Sequence, residues 1–156
     1  METDLRHLQN GSDVRGVALA VPGGGAVDLT EGACERIAGA FVRWLAHRAE
    51  KAPEKLRVGV GHDSRLTAEA LKRAAIRGIR AQGAAALDCG LASAPAMFMG
   101  TVFSDTAFDG SVMLTASHLP KERNGMKFFT PDGGLDKPDI TALLELAADL
   151  AGTSGA

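Results

Sequence analysis

Residues 114–127 read LTASHLPKERNGMK, so Ser117, His118, Asn124, Gly125 and Lys127 fall in one short stretch behind the apolar run Val112, Met113, Leu114. A loop that only turned the chain would need Gly, Pro, Asn or Asp and nothing more. Two chemistries would use a serine here. In a hydrolase, His118 would have to reach the Ser117 hydroxyl, yet backbone neighbours seldom aim their side chains at each other, and the chain has no GxSxG elbow. A serine that carries phosphate fits better: a phosphoserine has about −1.5 to −2 charges and three acceptor oxygens, and the Lys and Arg residues nearby supply matching donors. Spacing alone leaves a plain loop open as the other reading.

The elements that must position this stretch are legible from periodicity. Short apolar runs at 56–60, 84–87, 111–114 and 126–129 have strand length, and helical patterns separate the first three. Ile37, Ala40, Phe41, Trp44 and Leu45 share one helical face, which predicts a helix from about Glu31 to Glu50 with Thr30 as N-cap. A second helix starts after Thr67, presents Leu71, Ala74, Ala75, Gly78 and Ile79 on one face, and meets Gly83 where a left-handed residue is wanted. Its other face, with Lys72, Arg73, Arg77 and Arg80, reads as solvated. Residues 94–103 predict a third helix with Pro95 in its first turn, and 139–150 a last one, before the linker-like tail 151–156. The runs 17–21 and 25–29 around PGG suggest an edge hairpin. Alternation of this kind implies a three-layer α/β/α domain over residues 1–150 with a mixed, mainly parallel sheet. Ligands of such sheets bind at the carboxyl ends of the strands. There the sequence places GHDSR (61–65), DCGLASAP (88–95) and TASHLPKERNG (115–125). By itself GHDSR reads as a turn in which Asp63 or Ser64 caps the next helix.

Composition narrows the partners. The 156 residues, 46% of them hydrophobic, can bury one full core. Charge is nearly balanced, 17 Lys+Arg against 19 Asp+Glu, which gives no electrostatic reason to propose nucleic acid or an anionic membrane. No apolar run reaches the roughly 18 residues of a membrane span, and the polar N-terminus lacks the apolar core of a signal peptide, so the expected location is cytoplasmic. Cys34 and Cys89 form no CxxC pair and are expected to be buried free thiols.

The stretch TASHLPKERNGMKFF resembles the phosphoserine loop of the α-D-phosphohexomutases, the phosphomannomutase and phosphoglucomutase superfamily, whose usual form is T-A-S-H-N-P followed by N-G-x-K. Three further stretches agree in order: SDVRG (12–16) is similar to the family's [FS]-D-[IV]-R-G, GHDSR to G-x-D-x-R, and DCGLASAP to D-x-G-x-x-x-T-P. Leu119, His62 and Ala94 stand where Asn, Arg and Thr are usual. The resemblance implies the N-terminal, phosphoserine-bearing domain of an isomerase that moves phosphate between the 1 and 6 positions of a hexose through a bisphosphorylated sugar. Its partners would be a phosphosugar substrate and the remaining mutase domains.

Carried over by position, Ser117 is the phosphoserine, Arg15 and Lys127 are the cations near its phosphate, and Lys127 is also the candidate acid or base toward the sugar hydroxyl. His118 would hold the phosphoserine or the sugar. Asn124 and Gly125 would shape the turn presenting Lys127, and Arg65 would brace the serine loop. Mg²⁺ is implied as cofactor, with the Ser117 phosphate as its only ligand in this chain. Such a chain is expected to be inactive alone. A non-catalytic phosphate-binding or interaction module that keeps the loop is the alternative.

Overall fold

The computed structural model describes residues 4–116 and 119–154, the last four of them by backbone alone. Their elements, in chain order, are β1 (Gln9–Asn10), β2 (Asp13–Val17), α1 (Glu31–Ala49), β3 (Arg57–His62), α2 (Ala68–Ala81), β4 (Ala85–Leu91), α3 (Ala94–Val102), β5 (Gly110–Leu114), β6 (Arg123–Thr130), β7 (Gly133–Gly134) and α4 (Lys137–Ser154). The sheet runs β1-β2-β6-β5-β3-β4, with β7 also paired to β6. β3 is parallel to both β4 and β5, while β6 is antiparallel to β5, β2 and β7, and β1 to β2. It follows that β2, β3, β4 and β5 share one direction. The sheet is therefore mixed and mainly parallel in strand direction, as the alternation implied.

Local chemistry sets the helix ends. Thr30 Oγ1 accepts from Ala33 N at 3.0 Å to open α1, and Ser93 Oγ accepts from Ala96 N at 3.2 Å to open α3, with Pro95 in the first turn. At α4 the capping is reciprocal: Asp139 N donates to Asp136 Oδ1 and Asp136 N to Asp139 Oδ2, each at 3.1 Å. Gly83 takes φ +97° just past α2, a conformation that costs glycine little.

Strand alternation then sorts the core. Val58, Val60, Val112, Leu114, Met126 and Phe128 pack with α1, α2 and α4, where the Phe41 ring lies 4.9 Å from that of Phe128. The opposite face carries Gly59, Gly61, Ser111 and Met113 and receives α3, with Ser111 Oγ donating to Met97 O at 2.7 Å. Two helical layers thus enclose the sheet. Among the described residues no helix is long and apolar enough to cross a membrane.

Several expectations need correction. The edge hairpin is β1–β2, turned at Gly11 with φ +60°, and not the runs 17–21 and 25–29. The two runs touch only at Val17, whose O accepts from Asp28 N and Leu29 N at 3.0 Å and whose N donates to Asp28 Oδ1 at 2.7 Å; Ala18 N and Leu19 N donate to Glu122 O instead, so no hairpin ladder is built between them. α4 starts earlier and runs into the tail, to Ser154. Lys72 is not solvated: it is 6% exposed, its Nζ 2.9 Å from Asp88 and 3.2 Å from Glu69, and these carboxylates make its burial tolerable by raising its pKa. Cys89 is only half-buried, although both thiols are free.

Cys34 sits in the core with Sγ 3.3 Å from Leu71 O, and burial pushes its thiol up to about 12. An unfolded thiol ionises at about 8.5. Between these values the unfolded chain releases a proton that the native one keeps, so stability falls as pH rises, by up to about 1.4 kcal/mol per pH unit. Below that window the contribution is complete. Denaturation curves from pH 8 to pH 11 should accordingly lose less stability in Cys34→Val than in the wild type.

Candidate functional site

The carboxyl ends of β3, β4 and β5 form one rim: Asp63 N donates to Leu114 O at 3.1 Å and Ala92 N to His62 O at 2.9 Å. The loop after β5 leaves this rim. Ser117 and His118 lie outside the described residues, and their described neighbours are joined by Leu119 N donating to Ala116 O at 3.1 Å.

GHDSR fastens that loop at both ends. Asp63 Oδ1 accepts from Arg65 N at 3.1 Å, closing a local turn, while Asp63 Oδ2 accepts from Thr115 Oγ1 at 2.7 Å. Asp63 therefore caps no helix; Thr67 is the N-cap of α2. Arg65 Nη1 donates to Pro120 O at 2.8 Å and Arg123 O at 3.0 Å, and Nη2 to Leu119 O at 2.8 Å. One guanidinium, 12% exposed, thus gathers three carbonyls of residues 119–123. His62, where the family usually has Arg, bonds Asp63 O through Nδ1 at 2.7 Å and lies 3.6 Å from Glu69. The adjoining Lys72 and a backbone bond from Gly90 hold the Asp88 carboxyl below its ordinary range.

The second part of the site is a charged face made by β2 and β6. Lys127 Nζ lies 2.8 Å and Arg15 Nη2 3.2 Å from the same atom, Asp13 Oδ2, with the three side chains between 16% and 25% exposed. Register explains the meeting: Val14 pairs with Met126 and Arg15 with Gly125, so Asp13, Arg15 and Lys127 project from one face. Gly125 keeps them close, because a Cβ there would run into Val14 O and lie 2.9 Å from Thr115 O and 3.0 Å from Arg15 Cγ. Asn124 is fully buried; its Nδ2 donates to Thr67 Oγ1 at 2.9 Å and its Oδ1 accepts from Gly125 N at 2.8 Å. Asn124 and Gly125 are thus strand residues that tie β6 to the start of α2, rather than parts of a turn. Lys127 also borders an open cleft of about 480 Å³ between α3 and β6, with Pro95, Phe98 and Phe129 on its apolar side.

Sequence reasoning missed Asp13, Asp63 and Thr115. The available signal was their motif positions, Asp13 in SDVRG, Asp63 in GHDSR and Thr115 in TASHLPKERNG, to which no role at the site was given. Among the described residues no group of three or more His, Cys, Asp or Glu side chains could hold a metal. The described residues therefore do not fit a metal site. What they can do is hold two cations and a braced loop ready for an anion.

Comparison with known proteins bears on the family and the fold. The family model described as phosphoglucomutase/phosphomannomutase, alpha/beta/alpha domain I, matches residues 6–150. A phosphomannomutase of Sinorhizobium fredii is 32% identical over 131 residues, 84% of this chain and 27% of the relative. A phosphoglucosamine mutase of Oceanobacillus iheyensis is 32% identical over 130 residues, 81% of this chain and 29% of the relative. The crystal structure of a phosphoglucomutase/phosphomannomutase family protein from Burkholderia thailandensis shares the fold, with a TM-score of 0.71 at 23% identity over 97% of this chain and 31% of its own. This chain spans under a third of the length of each.

Proposed function

The chain belongs to the phosphoglucomutase/phosphomannomutase family, carrying its alpha/beta/alpha domain I, and from that premise we propose that it supplies the phosphoserine and its cations to an enzyme interconverting hexose 1-phosphate and hexose 6-phosphate. In the proposed step a sugar hydroxyl oxygen attacks the phosphorus on Ser117 as its proton leaves to an acid–base group, for which Lys127 is the candidate, and the bond from phosphorus to the serine oxygen breaks, the electron pair staying on that oxygen, which takes up a proton to become the free hydroxyl. The bisphosphorylated sugar later returns its other phosphate to Ser117. Arg15 and Lys127 neutralise the equatorial oxygens, which is most of what a protein contributes to phosphoryl transfer. His118 holds the phosphoserine or sugar. Arg65 keeps the loop in place, while Asn124 and Gly125 hold β6 where Lys127 faces it. Mg²⁺ is proposed only as an ion whose ligands, apart from the Ser117 phosphate, come from outside the described residues. The phosphosugar and further mutase domains are the proposed partners.

The observation that carries this reading is the pairing of Arg15 and Lys127 on the single carboxylate of Asp13, beside the loop that Arg65 braces. Two cations sharing one partner retain a net positive charge. An arriving phosphate is then met by donors already placed, without the cost of ordering them. Titration of the chain with inorganic phosphate should show binding that weakens by about tenfold or more in Lys127→Ala, since charge-assisted hydrogen bonds contribute about 1.5–3 kcal/mol. Equal affinities in the two proteins would refute the role given to Lys127.

A further inference from the structure

The cleft between α3 and β6 holds no role in the step proposed above. Its volume of about 480 Å³ lies within the roughly 300–1,000 Å³ usual for small-molecule sites. Such sites are mostly apolar, with a few polar groups gathered where a ligand must be oriented. This cleft has that division: Phe98 of α3, Phe129 of β6 and Pro95 form its apolar part, while Lys127, Asp13 and Ser12 supply the polar end. Strand geometry joins the two parts. Lys127 and Phe129 stand at i, i+2 on β6, so their side chains leave the same sheet face about 7 Å apart. α3 lays Phe98 on that face, its ring centroid 6.2 Å from that of Phe129 and the two planes tilted by 53°. Both rings are half-buried, so each keeps surface for a partner.

Lys127 belongs both to this cleft and to the cation pair on Asp13. A phosphate ester whose phosphate is met there must lay its organic part against a neighbouring surface, and the cleft is a cavity that Lys127 itself lines. The lining sets what that part must be. A wholly apolar group would leave the Asp13 carboxylate facing it without a partner: Oδ2 accepts from Arg15 and Lys127, while Oδ1 makes no hydrogen bond among the described residues. A planar base would want parallel faces to lie between, and the tilted rings offer none. A hexose ring suits both ends. Its C–H groups pack on phenyl faces, and its hydroxyls donate to Asp13 Oδ1 and exchange hydrogen bonds with the Ser12 hydroxyl.

We propose that this cleft receives the hexose ring of a phosphosugar whose phosphate is met by Lys127 and Arg15, with Phe98 and Phe129 as the sugar-contacting residues. This inference rests on the anion-site reading above and extends it from the phosphate to the ring that carries it.

The test is titration of the phosphatase-treated chain, its mass verified as phosphate-free, with inorganic phosphate and with glucose 1-phosphate. At pH 8 both ligands carry about two negative charges, so a difference in affinity reports the sugar. Expected are binding of glucose 1-phosphate about tenfold tighter than that of phosphate in the wild type, since apolar surface is buried on the rings, loss of that advantage in Phe98→Ala with the affinity for phosphate kept, and its retention in Phe98→Tyr, which keeps the ring. Nuclear Overhauser contacts from the sugar C–H protons to the ring protons of Phe98 and Phe129 are a second readout on the wild type, which decides the matter if Phe98→Ala melts early. Equal wild-type affinities for the two ligands, an affinity ratio unchanged in Phe98→Ala, or the absence of those contacts overturns the sugar site and leaves the anion site standing. No binding of either ligand by the wild type overturns both.

Discussion

Offered glucose 1-phosphate or mannose 1-phosphate with saturating Mg²⁺ and a hexose bisphosphate, the 156-residue chain is expected to show no mutase turnover above background. The described residues pair the cations Arg15 and Lys127 on one face and include no cluster of metal-binding side chains. A mutase step needs more. The sugar has to be held by its distal end while one phosphate transfers, and then held again after it has turned round. Removing preorganised charge from a developing leaving group commonly costs about a hundredfold to a thousandfold in rate, and losing the positioning of the second substrate end costs a comparable factor or more. The two losses together place the isolated chain below detection in a coupled assay. Turnover that survives purification and vanishes in Ser117→Ala would show that the site is complete in these residues.

Gly125→Val is expected to be the most damaging single substitution at the site. The new Cβ would meet Val14 O and Thr115 O, both backbone atoms, so the obstruction cannot be relieved by rotating a side chain. Forced overpacking of this kind costs about 3 kcal/mol or more, and at this chain length that lowers the melting temperature by about 6–12 °C. Phosphate binding should fall as well, since β2 and β6 must separate where Arg15 and Lys127 converge. Gly134→Ala is the comparison: its Cβ would find its nearest atoms at 3.8 Å, ordinary contact, and the melting temperature should move little. Equal melting of the Gly125→Val protein and the wild type would contradict the close approach of β2, β5 and β6.

Why some of this could be read in the sequence and some could not follows from where each signal resides. α1 and α2 announce themselves because Ile37, Phe41 and Leu45, or Leu71, Ala75 and Ile79, are buried at helical spacing against one sheet face. β2 does not. Its residues alternate between the buried Val14 and Gly16 and the charged Asp13 and Arg15, so a short strand reads as a polar motif. The misplaced hairpin has a related cause: Val17, Val21 and Val27 have strand-like composition, but the hydrogen bonds around Val17 come from Asp28 and those beside it from Glu122 O. Within the site, residue types suggested a phosphate on Ser117 with Lys and Arg residues nearby to match it, while Arg15 and Lys127 in particular were reached through the resemblance of their motifs. Asp13 was invisible in that role, since its contact with Lys127 joins residues 114 positions apart and exists only once Val14 is in register with Met126. Arg65 could be named from its motif, but its three carbonyl partners appear only when β3 and the loop after β5 meet at the rim.

The central claim is that Ser117 carries the phosphoryl group, and the most direct measurement is mass spectrometry of the intact chain and its peptides after incubation with a hexose 1,6-bisphosphate. The account predicts one added phosphoryl group, located on Ser117 within TASHLPK, absent from Ser117→Ala and reduced in Lys127→Ala. A chain that stays unmodified at Ser117 under these conditions, or takes up phosphate equally well in Ser117→Ala, would contradict it.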